Sequence, residues 1–418
     1  MQLSSKRTLS ILLLAALLAF VIARGILPAV WAIDSDFPNY FTAAKIVAGG
    51  GDVGRLYDDA WFQDQMREYL SRPEARGKFS PFPPPTALLM VPLTGFSALN
   101  ALRVATVVSM LCLVASIGCL SRILSWTLVE SSVFVLLSGY AVVNSLRLGQ
   151  PYIPLSASCI VGYYAFLHRR PILCGACFGL FVPIKLFPVV FLVYFLFRKE
   201  WRVVFGGLAV IGTVTLTSIA ILGWKIHWEY LTSILGNHLV GQMTMQDPFS
   251  ASFQSFDSLY RRLFVFDAVS NPQPWLSLPG FRVPGLIVTK TAIFLVGMAG
   301  IVKLAKRGVG GSGPAIGILG ILTLLLAPAT ATYHFALLWL PAGLLLSYCI
   351  RENIPLHAYA ILGAYCLIGF CPYGHASRFE GRGGLTILAY PRLVLLTAMF
   401  VAAVSIAWNR TAPVRAPA

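Results

Sequence analysis

The chain has 418 residues, of which 57% are apolar and 11% charged, against about 45–50% and about 25% in soluble domains. A soluble protein of that make-up would expose large apolar patches, whereas lipid is itself a solvent for apolar faces. The net charge of +16 would suit nucleic acid if the cations formed one polar stripe, but they sit in short clusters between apolar runs, as topology-setting loops do.

The chain opens M-Q-L-S-S-K-R and continues into an apolar stretch from Leu9 to Ile33. V-W-A before Ile33 is a tolerable cleavage site, but the stretch is longer than the roughly 7–15 residues of a signal-peptide core. A retained first transmembrane helix fits better. Measured against the ~20 apolar residues that cross a bilayer, spans are expected near 10–32, 100–121, 128–146, 151–167, 172–183, 186–197, 203–223, 285–304, 314–327, 333–350, 355–371 and 389–408. The expected fold is therefore an all-α polytopic membrane protein of about twelve transmembrane helices (range 10–13), forming a single transmembrane domain over residues 1–418. The fifth and sixth spans are short and separated by Ile184 and Lys185, which suggests a broken or re-entrant pair.

Charge sets the orientation. With the N-terminus inside, the clusters at Arg122, Arg169-Arg170, Arg198-Lys199, Lys303 to Arg307, Arg351 and the C-terminal tail are all cytoplasmic, as the positive-inside rule requires. Thirteen of the sixteen acids then lie outside, eight of them between Asp34 and Glu74. Three long segments share that side, about 34–99, 224–284 and 372–388. Connections of such length usually carry function. The expected location is a bacterial-type inner membrane, with both termini cytoplasmic and the chemistry extracytoplasmic.

In the first of these segments, D-S-D-F-P-N-Y-F-T-A-A-K follows directly on the first span. Asp34 and Asp36 are held at the membrane boundary, where partial shielding from water would raise a carboxyl pKa and strengthen it as a base. Either could instead cap a short helix over 39–47, and D-x-D can also bind a divalent metal, although three residues are weak support for that. G-R-L-Y-D-D and F-S-P-F-P-P-P-T-A-L-L-M-V-P-L come next. The prolines exclude a helix interior and give a rigid strap. Arg147, in S-L-R-L-G-Q-P-Y, and Lys185, in V-P-I-K-L-F-P, are cations at span ends. Ionisable residues at membrane depth are functional candidates, with snorkelling to the headgroups as the competing account. Cations at an outer interface suit a phosphate carried on a lipid.

The eight cysteines all sit in or beside apolar runs, and the C-x-x-C of Cys174 and Cys177 is embedded in I-L-C-G-A-C-F-G-L. A zinc or redox site needs polar, accessible surroundings, so these read as small apolar residues. Further on, S-F-Q-S-F-D-S-L-Y-R-R-L-F places Arg261 and Arg262 on a short amphipathic helix, and A-T-A-T-Y-H-F-A-L-L puts Tyr333 and His334 at the start of a span. The glycine-rich G-V-G-G-S-G-P at 308–314 has no preceding strand and reads as a linker. The last long loop offers His375, Arg378 and Arg382.

Taken in order, D-F-P-N-Y with A-A-K, L-Y-D, F-P-P-P-T-A-L-L-M-V-P-L, L-G-Q, I-K-L-F-P, S-F-D-S-L-Y-R-R-L and A-P-A-T-A-T-Y-H-F-A-L-L resemble the GT-C superfamily of polyprenyl-phosphate-sugar-dependent glycosyltransferases. The nearest branch is glycosyltransferase family 87, which includes mannosyltransferases of phosphatidylinositol mannoside synthesis. The resemblance covers roughly residues 34–345. It implies a GT-C fold and inverting transfer of a sugar, mannose by analogy, from a polyprenyl-phosphate carrier to a lipid or glycan acceptor. No metal and no cofactor beyond that co-substrate is implied. Asp36 would be the general base, with Asp34 the second candidate. The donor phosphate would be met by Lys185, His334, Arg261 or Arg262, and Arg147. Tyr40, Gln150, Tyr333 and Arg378 would contact sugar or acceptor. Two departures stand out: G-Q continues as Pro151-Tyr152 where the family usually has Asn, and Tyr333 precedes a single His334 where the histidine is often doubled. The alternative from another class is a secondary transporter or flippase of a lipid-linked sugar. That reading asks for internal repeats and acids deep within spans. No repeat is evident, and Glu130 and Glu200 stand at span ends.

Overall fold

The computed structural model describes residues 2–34, 36–239, 247–307, 309–371 and 376–409; His375 lies outside them. The described chain is helical, and its only extended pairings are two isolated bridges, Asp267 with Asn271 and Pro274 with Gly383. Six of the described helices are long and apolar enough to cross a bilayer: Thr8–Trp31, Ala98–Leu124, Trp201–Leu222, Pro279–Ala305, Thr332–Arg351 and Pro391–Trp408. Most present bare apolar side chains outward, among them Leu9, Leu111, Val114, Phe205, Leu216, Ile287 and Val288. Water would penalise such a surface, but hydrocarbon does not. The chain is a multi-pass, all-α membrane protein.

Two expectations are corrected. The single span at 128–146 is a pair of helices, Leu128–Leu136 and Tyr140–Arg147, bent by 73°. The break falls at Gly139, whose φ of +51° is a left-handed conformation that glycine adopts without steric cost. Of the supposed linker at 308–314, the part from residue 309 on belongs to a helix, Val309–Leu326. Its glycines serve close packing, because a Cβ on Gly311 would lie 1.9 Å from the Leu304 carbonyl oxygen at the end of the preceding helix. The short fifth and sixth segments appear as Pro171–Leu180 and Val189–Phe197, with Lys185 in the break between them.

The described chain forms two compact units, one of residues 1–136 and 142–244 and the other of 137–141 and 245–418. In the first unit, the helix Phe37–Ala48 is held between two apolar clusters. On one side Ala43 and Ile46 meet Leu56, Phe62, Met66, Phe79, Leu222 and Ile226. On the other, Phe37, Tyr40, Phe41 and Ala44 meet Met90, Ala101 and Leu102. The segment expected as a long loop is thus a packed layer. Its proline strap, buried from Pro84 to Ala87, belongs to the protein interior. In the second unit, the amphipathic helix around Arg261 and Arg262 runs from Phe256 to Phe264.

The C-x-x-C run proves to be a helix-packing face. Gly175 and Gly179 are one turn apart, and a Cβ on either would strike the facing helix, 1.8 Å from the Val203 oxygen or 2.5 Å from the Gly207 oxygen. Small residues at this spacing allow membrane helices to touch backbone to backbone. Cys174 is buried there as a free thiol. Gly175→Val should therefore destabilise the protein by at least the ~3 kcal/mol at the top of the usual overpacking range. Gly212→Val, where a Cβ meets nothing within 4 Å, should change little. Thermal unfolding of the detergent-solubilised protein compares the two, and equal melting temperatures would contradict the packing.

Candidate active site

Local chain geometry brings the first-unit candidates together. After Trp31 ends the first span, three residues carry the chain to Asp34, and Asp36 then takes the N-cap position of the helix Phe37–Ala48. Capping was one reading of these acids. The structure takes the other course: the Asp36 side chain makes no capping hydrogen bond, and its Oδ2 accepts one from Gln150 Nε2 at 2.7 Å. Gln150 in turn accepts at Oε1 from the Tyr40 hydroxyl, also at 2.7 Å. Tyr40 lies one turn beyond Asp36 on the same helix face, so a single amide clamps both residues.

The L-G-Q motif explains how Gln150 arrives there. Gly149 has φ +62°, and a Cβ on it would lie 2.6 Å from the Phe37 ring. Only glycine fits both the backbone conformation and the close approach. The bend turns Gln150, which is 2% exposed, towards Asp36. Pro151 then stands at the head of the helix Tyr152–Leu167, so the departure from the family pattern serves as a helix start.

Lys185 stands above three aromatic rings. Its Nζ is 4.3 Å from the centroid of Phe82, 5.5 Å from Tyr152 and 5.9 Å from Tyr40. The rings' negative faces stabilise an ammonium, and the Asp36 charge reaches it as well. Phe82 is positioned by Tyr57 of the L-Y-D motif, whose hydroxyl donates to the Phe82 carbonyl at 2.7 Å. Burial, then the neighbouring Tyr230 and Glu229, push the Tyr57 phenol well above the usual tyrosine range, which keeps its proton in place for that bond. Asp58 caps the next helix by accepting from Trp61 N–H at 3.1 Å.

The D-S-D pair therefore separates by role. Asp34 is paired with Arg147, Oδ2 to Nε at 2.6 Å, on a half-exposed edge, while Asp36 joins the Tyr40–Gln150 network. Among the described residues no three His, Cys, Asp or Glu side chains gather as a metal site. Gln150, expected to touch sugar or acceptor, has its amide turned to Asp36. Sequence reasoning missed Phe82 and Tyr152 as the surroundings of Lys185. Their signal was an aromatic in each of two motifs, F-P-P-P and G-Q-P-Y, but nothing in either run says that the rings meet one lysine.

The remaining candidates lie in the second unit. Arg262 is 5% exposed; its guanidinium binds Glu380 at 2.5 Å and the Ser270 carbonyl at 3.2 Å. Burial, then the charge of Arg282, lower the Arg261 pKa, with Asp257 acting the other way. His334 sits in the short turn Thr332–Leu338, where Nδ1 accepts from the Ala331 N–H at 2.7 Å and the Tyr333 ring lies 4.9 Å away. Arg378 is exposed beside the Phe379 ring.

The sequence profile of Glycosyltransferase family 87 matches residues 81–328, more than half of the chain. The chain belongs to glycosyltransferase family 87. That range holds Phe82, Gln150, Tyr152 and Lys185, and Asp36 and Tyr40 reach it through their contacts. A relative from Mycobacterium tuberculosis is described as a polyprenol-phosphate-mannose-dependent alpha-(1-2)-phosphatidylinositol mannoside mannosyltransferase. It is 36% identical over 92 residues, 22% of this chain and 21% of that protein, so the match spans about a fifth of the relative's length.

The clamp on Asp36 makes a stability prediction. Gln150→Leu removes a part-buried hydrogen bond to a carboxylate and the bond that Gln150 accepts from the Tyr40 hydroxyl, which should cost about 2–3 kcal/mol. Arg147→Ala breaks a half-exposed pair and should cost about 0–1 kcal/mol. Denaturant unfolding in detergent measures both, and a reversed order would refute the assignment.

Proposed function

We propose that the protein is an inverting glycosyltransferase that moves a sugar, mannose by analogy with its relative, from a polyprenyl-phosphate carrier to a lipid or glycan acceptor at the outer face of the inner membrane. The observation that carries this reading is the Asp36 carboxylate, withheld from helix capping and clamped by Gln150 within electrostatic reach of Lys185. An acid and a cation so arranged suit attack by a neutral hydroxyl and departure of an anion.

In the reaction, the acceptor hydroxyl oxygen forms a bond to the anomeric carbon while its proton passes to Asp36. The bond from that carbon to the phosphate oxygen breaks, and polyprenyl phosphate leaves with the bonding pair. Attack opposite to the leaving group inverts the configuration. The donor is a phosphodiester with one negative charge and the departing monoester carries a second, which Lys185 stabilises. A phosphate leaves without acid assistance, so one carboxylate suffices where a glycoside hydrolase needs two. The step requires no metal. The six long spans, or seven if the bent pair is one, support a multi-pass chain, and the further crossings that make up twelve rest on hydropathy.

Purified protein incubated with radiolabelled polyprenyl-phosphate mannose and a membrane lipid extract should yield a new labelled product. Asp36→Asn should lower the rate by about 10²–10⁴-fold, the usual contribution of a general base. Wild-type rates in that variant would sink the base assignment. Movement of the donor across vesicles without a new bond would establish the transporter reading instead.

A further inference from the structure

A second group of nitrogens lies in the first unit beside the proposed centre, and the sequence gives it no motif. Lys78 is 7% exposed, and its Nζ is shielded from solvent with no hydrogen-bond partner among the described residues. Its backbone is fixed, because Lys78 N–H donates to Asn39 Oδ1 at 3.0 Å and Asn39 immediately precedes Tyr40. Four residues on, Phe82 lies under Lys185. His238 lies eight residues beyond Tyr230, whose ring stacks on Tyr57 of the same layer with centroids 6.3 Å apart. Its Nδ1 is likewise buried and unpartnered.

These groups sense one another. Burial, and after it the charges of Lys185 and Lys78, hold the His238 pKa down at about 4. Burial also lowers the Lys78 ammonium, with Asp59 the one carboxylate acting against it. An ammonium taken out of water without a hydrogen-bond partner is costly unless an anion joins it. Two lysines and a histidine with an unpartnered ring nitrogen therefore form a place that an anion would stabilise. Lys185 rests on Phe82, four residues from Lys78, and on Tyr40, next to the Asn39 that holds the Lys78 backbone, which puts the anion beside the reacting centre.

We propose that Lys78 and His238, with Lys185, form the subsite that binds the phosphate of the prenyl-linked donor. The proposal rests on the transferase reading for the identity of the ligand, and for the subsite itself on the buried, unpartnered nitrogens. The long lysine stem lets Nζ swing onto a phosphate oxygen, and His238, neutral at pH 7, gives one N–H. The same phosphate chemistry exists in an acceptor headgroup, so the test carries an arm for each source.

The full-length protein in detergent is titrated with farnesyl phosphate, farnesol and glycerophosphoinositol, with ligand-induced shifts in melting temperature as the readout. Lys78→Gln and, independently, His238→Gln should each weaken farnesyl phosphate at least tenfold. Lys78→Arg should restore it to within about threefold, and farnesol and glycerophosphoinositol should be unaffected. Unchanged farnesyl phosphate affinity in the two neutral variants overturns the proposal. So does an equal loss for farnesol, which marks a structural role, or a loss confined to glycerophosphoinositol, which assigns the site to the acceptor. Should Lys78→Gln not fold, the His238→Gln arm decides alone. Because binding is read without turnover, a wild-type protein that binds farnesyl phosphate through Lys78 yet transfers no sugar would sink the transferase reading and leave the subsite standing.

Discussion

The hydrogen bond from Gln150 to Asp36 joins residues 114 positions apart, and the organisation of the first unit follows from it. For the bond to form, the chain must bend at Gly149 against Phe37, the helix Phe37–Ala48 must lie buried between its two clusters, and Tyr40 must present its hydroxyl to the other end of the same amide. An amide used at both ends has a fixed orientation, since reversing it would set a carbonyl against the carboxylate. The carboxylate is thus held from the side in place of its own helix end, which leaves the helix N-terminus without a side-chain cap. Stability of about 1 kcal/mol that a cap would supply has gone to positioning the acid.

Lys185 is held by different physics. Three aromatic faces surround it, and such contacts are each worth roughly 0.5–2 kcal/mol, less than a buried ion pair broken at one partner, about 3–5 kcal/mol. Rings stabilise the charge without consuming its hydrogen-bond donors. A lysine locked onto a carboxylate has its donors taken up, whereas one resting on rings keeps them. Arg262, bound to Glu380 and a backbone carbonyl, shows the opposite arrangement, and its charge serves the architecture of the second unit.

Much of the fold was legible in the sequence because crossing a bilayer is a demand on local composition. The spans at 10–32, 100–121 and 203–223 reappear within a few residues as Thr8–Trp31, Ala98–Leu124 and Trp201–Leu222. The short pair around Lys185 was visible because its two apolar runs are too short to span and are parted at Ile184 and Lys185. Where glycine was involved, reading failed in two directions. A glycine cluster at 308–314 read as a linker and, from residue 309 on, proved to be the tightly packed start of a helix, and at Gly139 a lone glycine inside an apolar run proved to be a break. Glycine permits both a turn and a close approach, and only the neighbour across the gap, here Leu304 or Gly369, decides which. At the site, D-F-P-N-Y and L-G-Q marked the candidate residues, but the preference for Asp36 over Asp34 came from the resemblance and Gln150 had no assigned contact with either.

By itself the sequence determined a multi-pass helical membrane protein, the segments that carry its polar chemistry and a short set of candidate acids and cations. These follow from hydropathy, charge and motif order, which are sums over neighbours in the chain. Tertiary structure alone decided that Asp34 goes to Arg147 and Asp36 to Gln150, that Lys185 rests on rings from three separate segments, and that Lys78 Nζ and His238 Nδ1 are shielded without a hydrogen-bond partner among the described residues. Each of these is set by distances between residues tens to more than a hundred positions apart, and such distances exist only once the helices have packed.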